Sequence, residues 1–191
     1  ARIYVQRNSG AWIEDFDREV GEAERLARRA VELGQDDAVA LSCAAFALSD
    51  LCGDPKAAVL CIDKALALSP SLASAWPYSD WIRCAIGDTE AALRHIECAR
   101  RLSPNDPQGF SLLCCEGIAH FTVGNYVKAL GLAEAAMQVK SDYILAHCLA
   151  MTSAANAGDL VAAEVALKRA LRILPELFLT FVSRVQVFYF Y

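Results

Sequence analysis

One spacing recurs along the chain and restricts the folds that it can adopt. Gly53 and Gly87 stand 34 residues apart, and Gly124 and Gly158 show the same interval. Each glycine opens a similar phrase, and the four are GDPKAAVLCIDKALALSP, GDTEAALRHIECARRLSP, GNYVKALGLAEAAMQVKS and GDLVAAEVALKRALRILP. A period of this length indicates one repeated supersecondary unit that buries its apolar side against its neighbours.

Each repeat is predicted to be two helices joined by a tight turn. The glycine ends the first helix, because it takes a left-handed backbone conformation at little cost. The residue that follows it is predicted to cap the second helix with a side-chain oxygen; these residues are Asp54, Asp88, Asn125 and Asp159. Small residues then recur where two helices approach closely: Ala58 and Ala65, Ala92 and Ala99, Ala129 and Ala136, Ala163 and Ala170. Proline ends the second helices at Pro70, Pro104 and Pro175.

Together with Trp76 and Gly117 in first helices, these positions resemble the tetratricopeptide repeat (TPR) family over nearly the full length. The resemblance implies an all-α, right-handed superhelical solenoid of about five TPR-like helix pairs plus a C-terminal helix, in one domain, 1–191. The predicted repeats cover about 4–35, 37–70, 71–104, 106–141 and 142–175, and the terminal helix covers 176–191. Repeat one lacks the turn glycine, and Ala23 and Ala30 carry its register.

A narrower resemblance lies in three segments: YVQRNSGAWIEDFDREVGEAERLARRAVE, ARRAVELGQDDAVALSCAAFAL and LSPNDPQGFSLLCCEGIAHFTVGNYVKALGLAEAAMQ. They look like the C-terminal TPR region of bacterial class III adenylate cyclases and winged-helix regulators. The resemblance implies a regulatory or sensory part of a larger protein. The start at Ala1, without methionine, agrees with a fragment. No residue here matches a cyclase metal ligand or a base-reading side chain.

The first helices are predicted to line a concave groove that holds a partner. In the TPR family the groove positions are the second, fifth, ninth and twelfth of each first helix. Carried over, they are Asn8, Trp12 and Asp15; Cys43, Ala47 and Asp50; Ser74, Pro77, Trp81 and Cys84; Ser111, Cys114, Ile118 and Phe121; Cys148, Thr152 and Ala155. The cations of the chaperone-type carboxylate clamp are missing from this set, so an apolar helix or strand is the predicted occupant. The alternative is that Trp12, Trp81 and Phe121 only pack between helices.

The predicted function is therefore that of a non-catalytic scaffold with a protein or peptide partner. A net charge of −5 and a pI near 5.2 lack the cationic surface that nucleic acids require. No run of 18 apolar residues exists, so we predict no membrane insertion and a cytoplasmic location. The apolar terminal stripe is predicted to be covered either by a further C-terminal segment or by a second copy, and the hypothesis is a homodimer contact through the C-terminal helix. The stripe comprises Leu177, Phe178, Phe181, Val182, Val185 and Phe188.

The cysteines and histidines are predicted to have no catalytic or metal-binding role. None of the eight cysteines forms a C-x-x-C pair, so they are predicted to be free thiols that pack as small hydrophobes, with no metal and no cofactor. His95 is predicted to be solvated, whereas His120 and His147 are predicted to be packed or hydrogen-bonded. Pro77 has two interpretations: it bends its helix beside Trp76 and Trp81, which is the prediction, or it is harmless because the helix begins near Ala75.

Overall fold

In the computed structural model, which describes residues 1–9 and 13–175, every regular element is an α-helix. The ten helices are α1 (Arg2–Ser9), α2 (Phe16–Leu33), α3 (Ala38–Asp50), α4 (Pro55–Leu68), α5 (Ala75–Ala85), α6 (Thr89–Leu102), α7 (Gly109–Thr122), α8 (Tyr126–Val139), α9 (Ile144–Asn156) and α10 (Leu160–Ile173). Their contacts group them into two compact modules, Ala1–Pro104 and Asn105–Tyr191. The first carries α1–α6 and the second α7–α10. The predicted all-α fold is confirmed.

The N-terminal module is a row of packed helices in chain order. Helices α3 and α4 form one pair and α5 and α6 another, while α2 packs on α3 and α4 on α5. The first helices α1, α3 and α5 also touch side by side. Alanines such as Ala23, Ala44 and Ala58 are fully buried between these helices, beside Leu48 and Ile62. Small side chains at these points permit the close helix approach that the repeat pattern predicted.

The C-terminal module repeats this arrangement with two pairs, α7 with α8 and α9 with α10. Helix α8 also packs on α9, and the two first helices α7 and α9 touch. Ala133 of α8 packs with Leu149 and Ala150 of α9, and Ala136 packs with Cys114 and Ala146. The core therefore consists of small residues with a few large ones between them.

The four turn glycines have the predicted left-handed backbone, with φ of 62° at Gly53, 77° at Gly87, 78° at Gly124 and 86° at Gly158. After each of the last three, the next residue's N–H closes the turn onto a carbonyl five residues earlier, as in the 2.9 Å bond from Asp88 N to Arg83 O. At Gly53 the corresponding bond from Asp54 N reaches back six residues, to Leu48 O. This turn is therefore one residue longer than the others.

Three of the four predicted N-caps make the expected hydrogen bond. The carboxylates of Asp54, Asp88 and Asp159 accept from the backbone N–H three residues further on. Asn125 occupies the same position before α8, but its side chain makes no capping hydrogen bond, so that prediction is wrong. The backbone still enters the helix there, because the turn at Gly124 already directs it.

The difference between Asp159 and Asn125 can be measured. Asp159→Ala removes the oxygen that accepts from Ala162 N at 2.9 Å and is expected to lower the free energy of unfolding by about 1 kcal/mol. Asn125→Ala removes no capping bond and is expected to cost clearly less. Urea unfolding followed by circular dichroism compares the two variants, and equal losses would contradict this account of the caps.

Pro77 does not bend its helix. Helix α5 begins at Ala75, so Pro77 is its third residue. The first four N–H groups of a helix have no partner within the helix, and a proline there removes no hydrogen bond. The predicted bend is therefore wrong.

The sequence also predicted the prolines that end the second helices, the alanines of repeat one and a terminal helix. Pro70, Pro104 and Pro175 each follow a second helix by two residues, as predicted. In repeat one, Ala27 is fully buried whereas Ala30 is half-buried. The predicted terminal helix, 176–191, lies outside the described residues, and the repeat bounds and the single domain stay predictions.

Candidate functional site

The first helices of the N-terminal module bring part of the predicted groove together. We call the surface formed by Asn8, Cys43, Phe46, Asp50, Tyr78 and Trp81 the N-terminal face. Two predicted positions meet directly, since Asn8 Nδ2 donates to Asp50 Oδ2 at 3.4 Å. This bond joins the ends of α1 and α3.

An aromatic stack forms the centre of the N-terminal face. The rings of Phe46 on α3 and Tyr78 on α5 stack with centroids 4.4 Å apart and planes 7° from parallel. Both side chains are half-buried, so the stack is supported from below and still accessible. The sequence analysis missed both residues, since they stand at different offsets in the repeat. Each is a neighbour of a predicted groove position, Ala47 or Pro77, which is the signal that could have found them.

The Tyr78 phenol is affected by burial and by two nearby side chains. Burial raises the pKa of Tyr78, while the nearby Arg2 guanidinium lowers it. Cys43 also acts on this pKa and raises it. One turn further along α5, Trp81 is half-buried, and the Cys84 thiol donates to Asp80 Oδ1 at 3.8 Å. Burial, and then Asp80, raises the pKa of Cys84, so this thiol is a weak nucleophile.

The C-terminal module presents a second surface, which we call the C-terminal face: Ile118, Phe121, Met151 and Thr152. Ile118, Phe121 and Met151 are partly buried against the cluster formed by Ala133 and Leu149. Phe121 contacts the Tyr126 ring edge-on, with centroids 5.2 Å apart. Thr152 turns its hydroxyl back to its own helix, where it donates to Cys148 O at 3.0 Å.

Several predicted groove positions belong to neither face. Ala47 and Cys114 are fully buried, and Cys148 is nearly so. Asp15 does not lie on a first helix but caps α2, where it accepts from Arg18 N at 3.1 Å. Trp12 lies outside the described residues. The predicted register failed at the buried positions because the inner side of a first helix is shared with its neighbours.

His95 is not solvated, which corrects the sequence prediction. Its ring is half-buried on the edge of Trp76, and its Nδ1 lies 2.8 Å from the Ser79 hydroxyl. Ser79 is fully buried, so no substrate can reach this pair, and a packing role explains it. His147 is hydrogen-bonded as predicted, with Nε2 2.8 Å from Ser141 O. His120, the third histidine, lies beside Glu116 at 3.8 Å.

The burial of His95 predicts a dependence of stability on pH. Burial, and then the Arg83 guanidinium, lowers the pKa of His95 below 6.5. The unfolded chain therefore takes up this proton first, and the stability present above pH 6.5 is lost as the pH falls towards the lowered pKa. In urea unfolding between pH 7.5 and pH 5, His95→Gln is expected to show a shallower loss than the wild type. Burial also lowers the pKa of His120, so part of the slope remains. Identical slopes would contradict the assignment to His95.

The cysteines are free thiols, and Cys61, Cys114, Cys115 and Cys148 are buried. Burial raises the pKa of Cys52 to about 11 and that of Cys148 to about 12, which keeps both protonated at neutral pH. Over the part of the chain that the structure describes, no three His, Cys, Asp or Glu side chains gather as metal ligands would. Nor does any helix in residues 1–9 and 13–175 have the length and apolarity needed to cross a bilayer.

Paired helices, left-handed turn glycines and buried alanines together define a TPR-type helical repeat fold. Solved structures of MamA, a TPR-like helical repeat protein, are similar to this chain. One has a TM-score of 0.60 at 18% identity and covers 92% of this chain and 96% of its own. Another, MamA from Desulfovibrio magneticus RS-1, has a TM-score of 0.60 at 19% identity over 90% of both chains. No protein-family model and no curated protein matches the sequence. These likenesses show the fold.

Proposed function

We propose that the chain is a non-catalytic protein-interaction scaffold that binds an apolar segment of a partner along its first helices. The observation that supports it best is the accessible stack of Phe46 on Tyr78 in the centre of the N-terminal face. Aromatic side chains with one supported and one open side supply much of the binding energy in protein interfaces. Trp81 on the same face and Phe121 on the C-terminal face are further aromatic side chains for binding a partner.

The polar groups near these faces fit binding better than catalysis. Ser79 with His95 forms a pair of a hydroxyl and an imidazole 2.8 Å apart, and Ser79 is fully buried. The Cys84, Cys114 and Cys148 thiols have a raised pKa, which disfavours a thiolate nucleophile. An apolar partner segment needs neither group.

Two matched pairs of substitutions test the proposal. Trp81→Ala with Phe121→Ala removes ring surface from the first helices, whereas Leu60→Ala with Val127→Ala removes exposed apolar surface from second helices. Leu60 and Val127 are 75% and 76% exposed, so their loss leaves the core intact. In pull-downs from native lysate, the first double variant is expected to lose partners that the second one retains. Equal recovery by both, with both variants folded, would reject binding at the first helices.

A regulatory or sensory role within a larger adenylate cyclase or transcriptional regulator is the alternative function. It is supported by the three segments of the narrower sequence resemblance, from Tyr4, Ala27 and Leu102 onwards. The coding sequence upstream of Ala1 tests it. A cyclase or winged-helix domain in the same reading frame would support this role, and its absence would reject it.

Two further parts of the proposal concern the whole protein. We place it in the cytoplasm, and we propose a homodimer through residues 176–191, whose apolar stripe the sequence analysis identified. Light scattering at increasing protein concentration tests the dimer. A strict monomer at high concentration would reject it.

A further inference from the structure

A cleft between α1 and α2 lies outside both faces described above. Its volume of about 510 Å³ is within the usual range of small-ligand sites, and six side chains line it: Ile3, Tyr4, Arg7, Arg18, Glu19 and Glu22. None of the six is a predicted groove position, and none belongs to the N-terminal or C-terminal face. The scaffold function therefore assigns no role to this concave surface.

An ion pair fixes the Arg7 guanidinium in the cleft. Arg7 Nε donates to Glu19 Oε2 at 2.7 Å, and Arg7 Nη2 donates to Glu19 Oε1 at 2.8 Å, which is the geometry of a bidentate pair. Glu19 is 6% exposed, and its Oε1 also accepts from Glu14 N at 3.3 Å. The Arg7 guanidinium lowers the pKa of Glu19, so the carboxylate is ionised at neutral pH and holds Arg7 in place.

The pairing with Glu19 uses two of the N–H donors of Arg7. A guanidinium carries its donors in a planar fork, and the edge formed by Nη1 and Nη2 can still bind a second carboxylate. Two other side chains add donors to the lining. The Tyr4 hydroxyl is on a half-buried side chain, and the Arg18 guanidinium is exposed, with its Nε 3.5 Å from Asp15.

The two carboxylates of the lining are already occupied, which disfavours a cationic ligand. Both Glu19 oxygens accept from Arg7, and both Glu22 oxygens accept from Arg25 at 2.7 Å. Ile3 is 59% exposed and supplies an apolar wall beside these polar groups. Available donors beside an apolar wall fit an anion that carries an apolar group. The lining has two arginines and two glutamates, and this balance favours a single negative charge on the ligand.

We propose that the cleft between α1 and α2 binds a small carboxylic acid, with its carboxylate on the Nη1–Nη2 edge of Arg7 and its apolar group against Ile3. The Tyr4 hydroxyl donates to the same carboxylate, and Arg18 supplies a second positive charge. A free organic acid and the C-terminus of a peptide share this chemistry. The inference is independent of the proposed function, because the cleft has no residue in common with the two faces assigned to the partner.

Titration of the isotope-labelled full chain with small probes, followed by NMR chemical shifts, tests the inference. Hexanoate is the carboxylate probe, while hexylammonium and hexanol carry a similar chain with a positive charge or none. Hexanoate is expected to bind about tenfold more tightly than either, because charge-assisted hydrogen bonds are stronger than neutral ones. Acetate, which lacks the chain that packs on Ile3, is expected to bind about tenfold more weakly than hexanoate. The backbone signals that shift are expected to belong to α1 and the first turns of α2.

Substitutions assign the two ends of the ligand. Arg7→Lys keeps the charge without a second edge of donors, and it is expected to weaken hexanoate binding about tenfold. Tyr4→Phe removes one donor and is expected to weaken it about fivefold. Ile3→Ser is expected to bring the affinity for hexanoate close to that for acetate. Arg29→Gln, an exposed arginine of α2 that does not line the cleft, is the matched control and is expected to change neither affinity.

Three outcomes would overturn the inference: no binding of hexanoate, equal affinities for hexanoate and hexylammonium, and hexanoate-induced shifts confined to other helices. If Arg7→Lys fails to fold because Glu19 loses its partner, Tyr4→Phe and Ile3→Ser keep the test, and unchanged hexanoate affinity in both would also overturn it.

A peptide probe distinguishes the two sources of the carboxylate. Acetylated dileucine with a free C-terminus is titrated beside hexanoate, and the same dileucine with an amidated C-terminus is the control. Tighter binding of the free peptide than of hexanoate assigns the cleft to a peptide end, and the reverse order assigns it to a free organic acid. Binding of the amidated peptide as tightly as the free one would contradict carboxylate recognition.

Discussion

Replacing Gly117 with valine is expected to lower the free energy of unfolding by about 3 kcal/mol. Gly117 lies on α7 and faces residues of both α8 and α9. A Cβ built there would stand 2.6 Å from Leu149 Cδ2 and 3.4 Å from both Ala129 O and Leu132 Cβ. Leu149 is buried and has little room to move, so a side chain at position 117 forces the helices apart.

A second helical glycine provides the control. Gly131 on α8 is exposed, and a Cβ there would meet nothing within 4 Å. Gly131→Val is expected to be neutral or slightly stabilising, because valine forms helix better than glycine. Urea unfolding measures both variants. Equal stability of Gly117→Val and the wild type would show that α7 does not approach its neighbours this closely.

Truncating Ile62 to alanine is expected to cost about 4 kcal/mol. Ile62 on α4 is fully buried in the core of the N-terminal module, in one cluster with Leu48, Ala58 and Ile82. The residues around it are largely alanines on rigid helices, which cannot collapse into the space that the side chain leaves. The loss therefore includes both the transfer of apolar surface and the cavity.

Leu60, two residues earlier on the same helix, is the matched control for this truncation. Leu60→Ala removes a side chain that is mostly exposed, and its effect is expected to stay within about 0.5 kcal/mol. Denaturant midpoints compare the two alanine variants. A loss at Leu60 as large as at Ile62 would mean that the outer side of α4 is the packed side, against the fold described above.

The helix pairs and their turns could be predicted from the sequence because each repeat imposes the same local conditions four times. The positive φ at Gly87 requires a residue that tolerates a left-handed backbone, and the buried position 92 requires a small side chain. The same two requirements recur in the other repeats. One copy of such a signal is weak. Several copies in register are a strong signal, because a turn residue, a cap and a small residue do not recur at the same spacing by chance.

Predictions failed where the outcome depended on neighbours in space. Asn125 has the right chemistry for a cap, but its side chain makes no capping hydrogen bond. His95 looked solvated beside Glu97, yet α5 places Trp76 and Ser79 against it. Sequence offsets do not contain the contacts between adjacent helices that decide the environment of His95.

The candidate site was predicted only in part for the same reason. The pairing of Asn8 with Asp50 brings two predicted groove residues together, whereas Ala47, Cys114 and Cys148 turned inward. A family's groove positions name the helices on which a groove is expected. The side of each helix that remains open depends on the residues of its neighbours, which repeat families vary freely.

Site-specific photo-crosslinking tests most directly whether the first helices bind the partner. A photoreactive phenylalanine is placed at Cys43 or Phe121 on first helices, or at Leu60 or Val127 on second helices. In native lysate, positions 43 and 121 are expected to capture the same partner, and positions 60 and 127 are expected not to capture it. Capture of that partner from positions 60 and 127, with none from 43 and 121, would contradict the account.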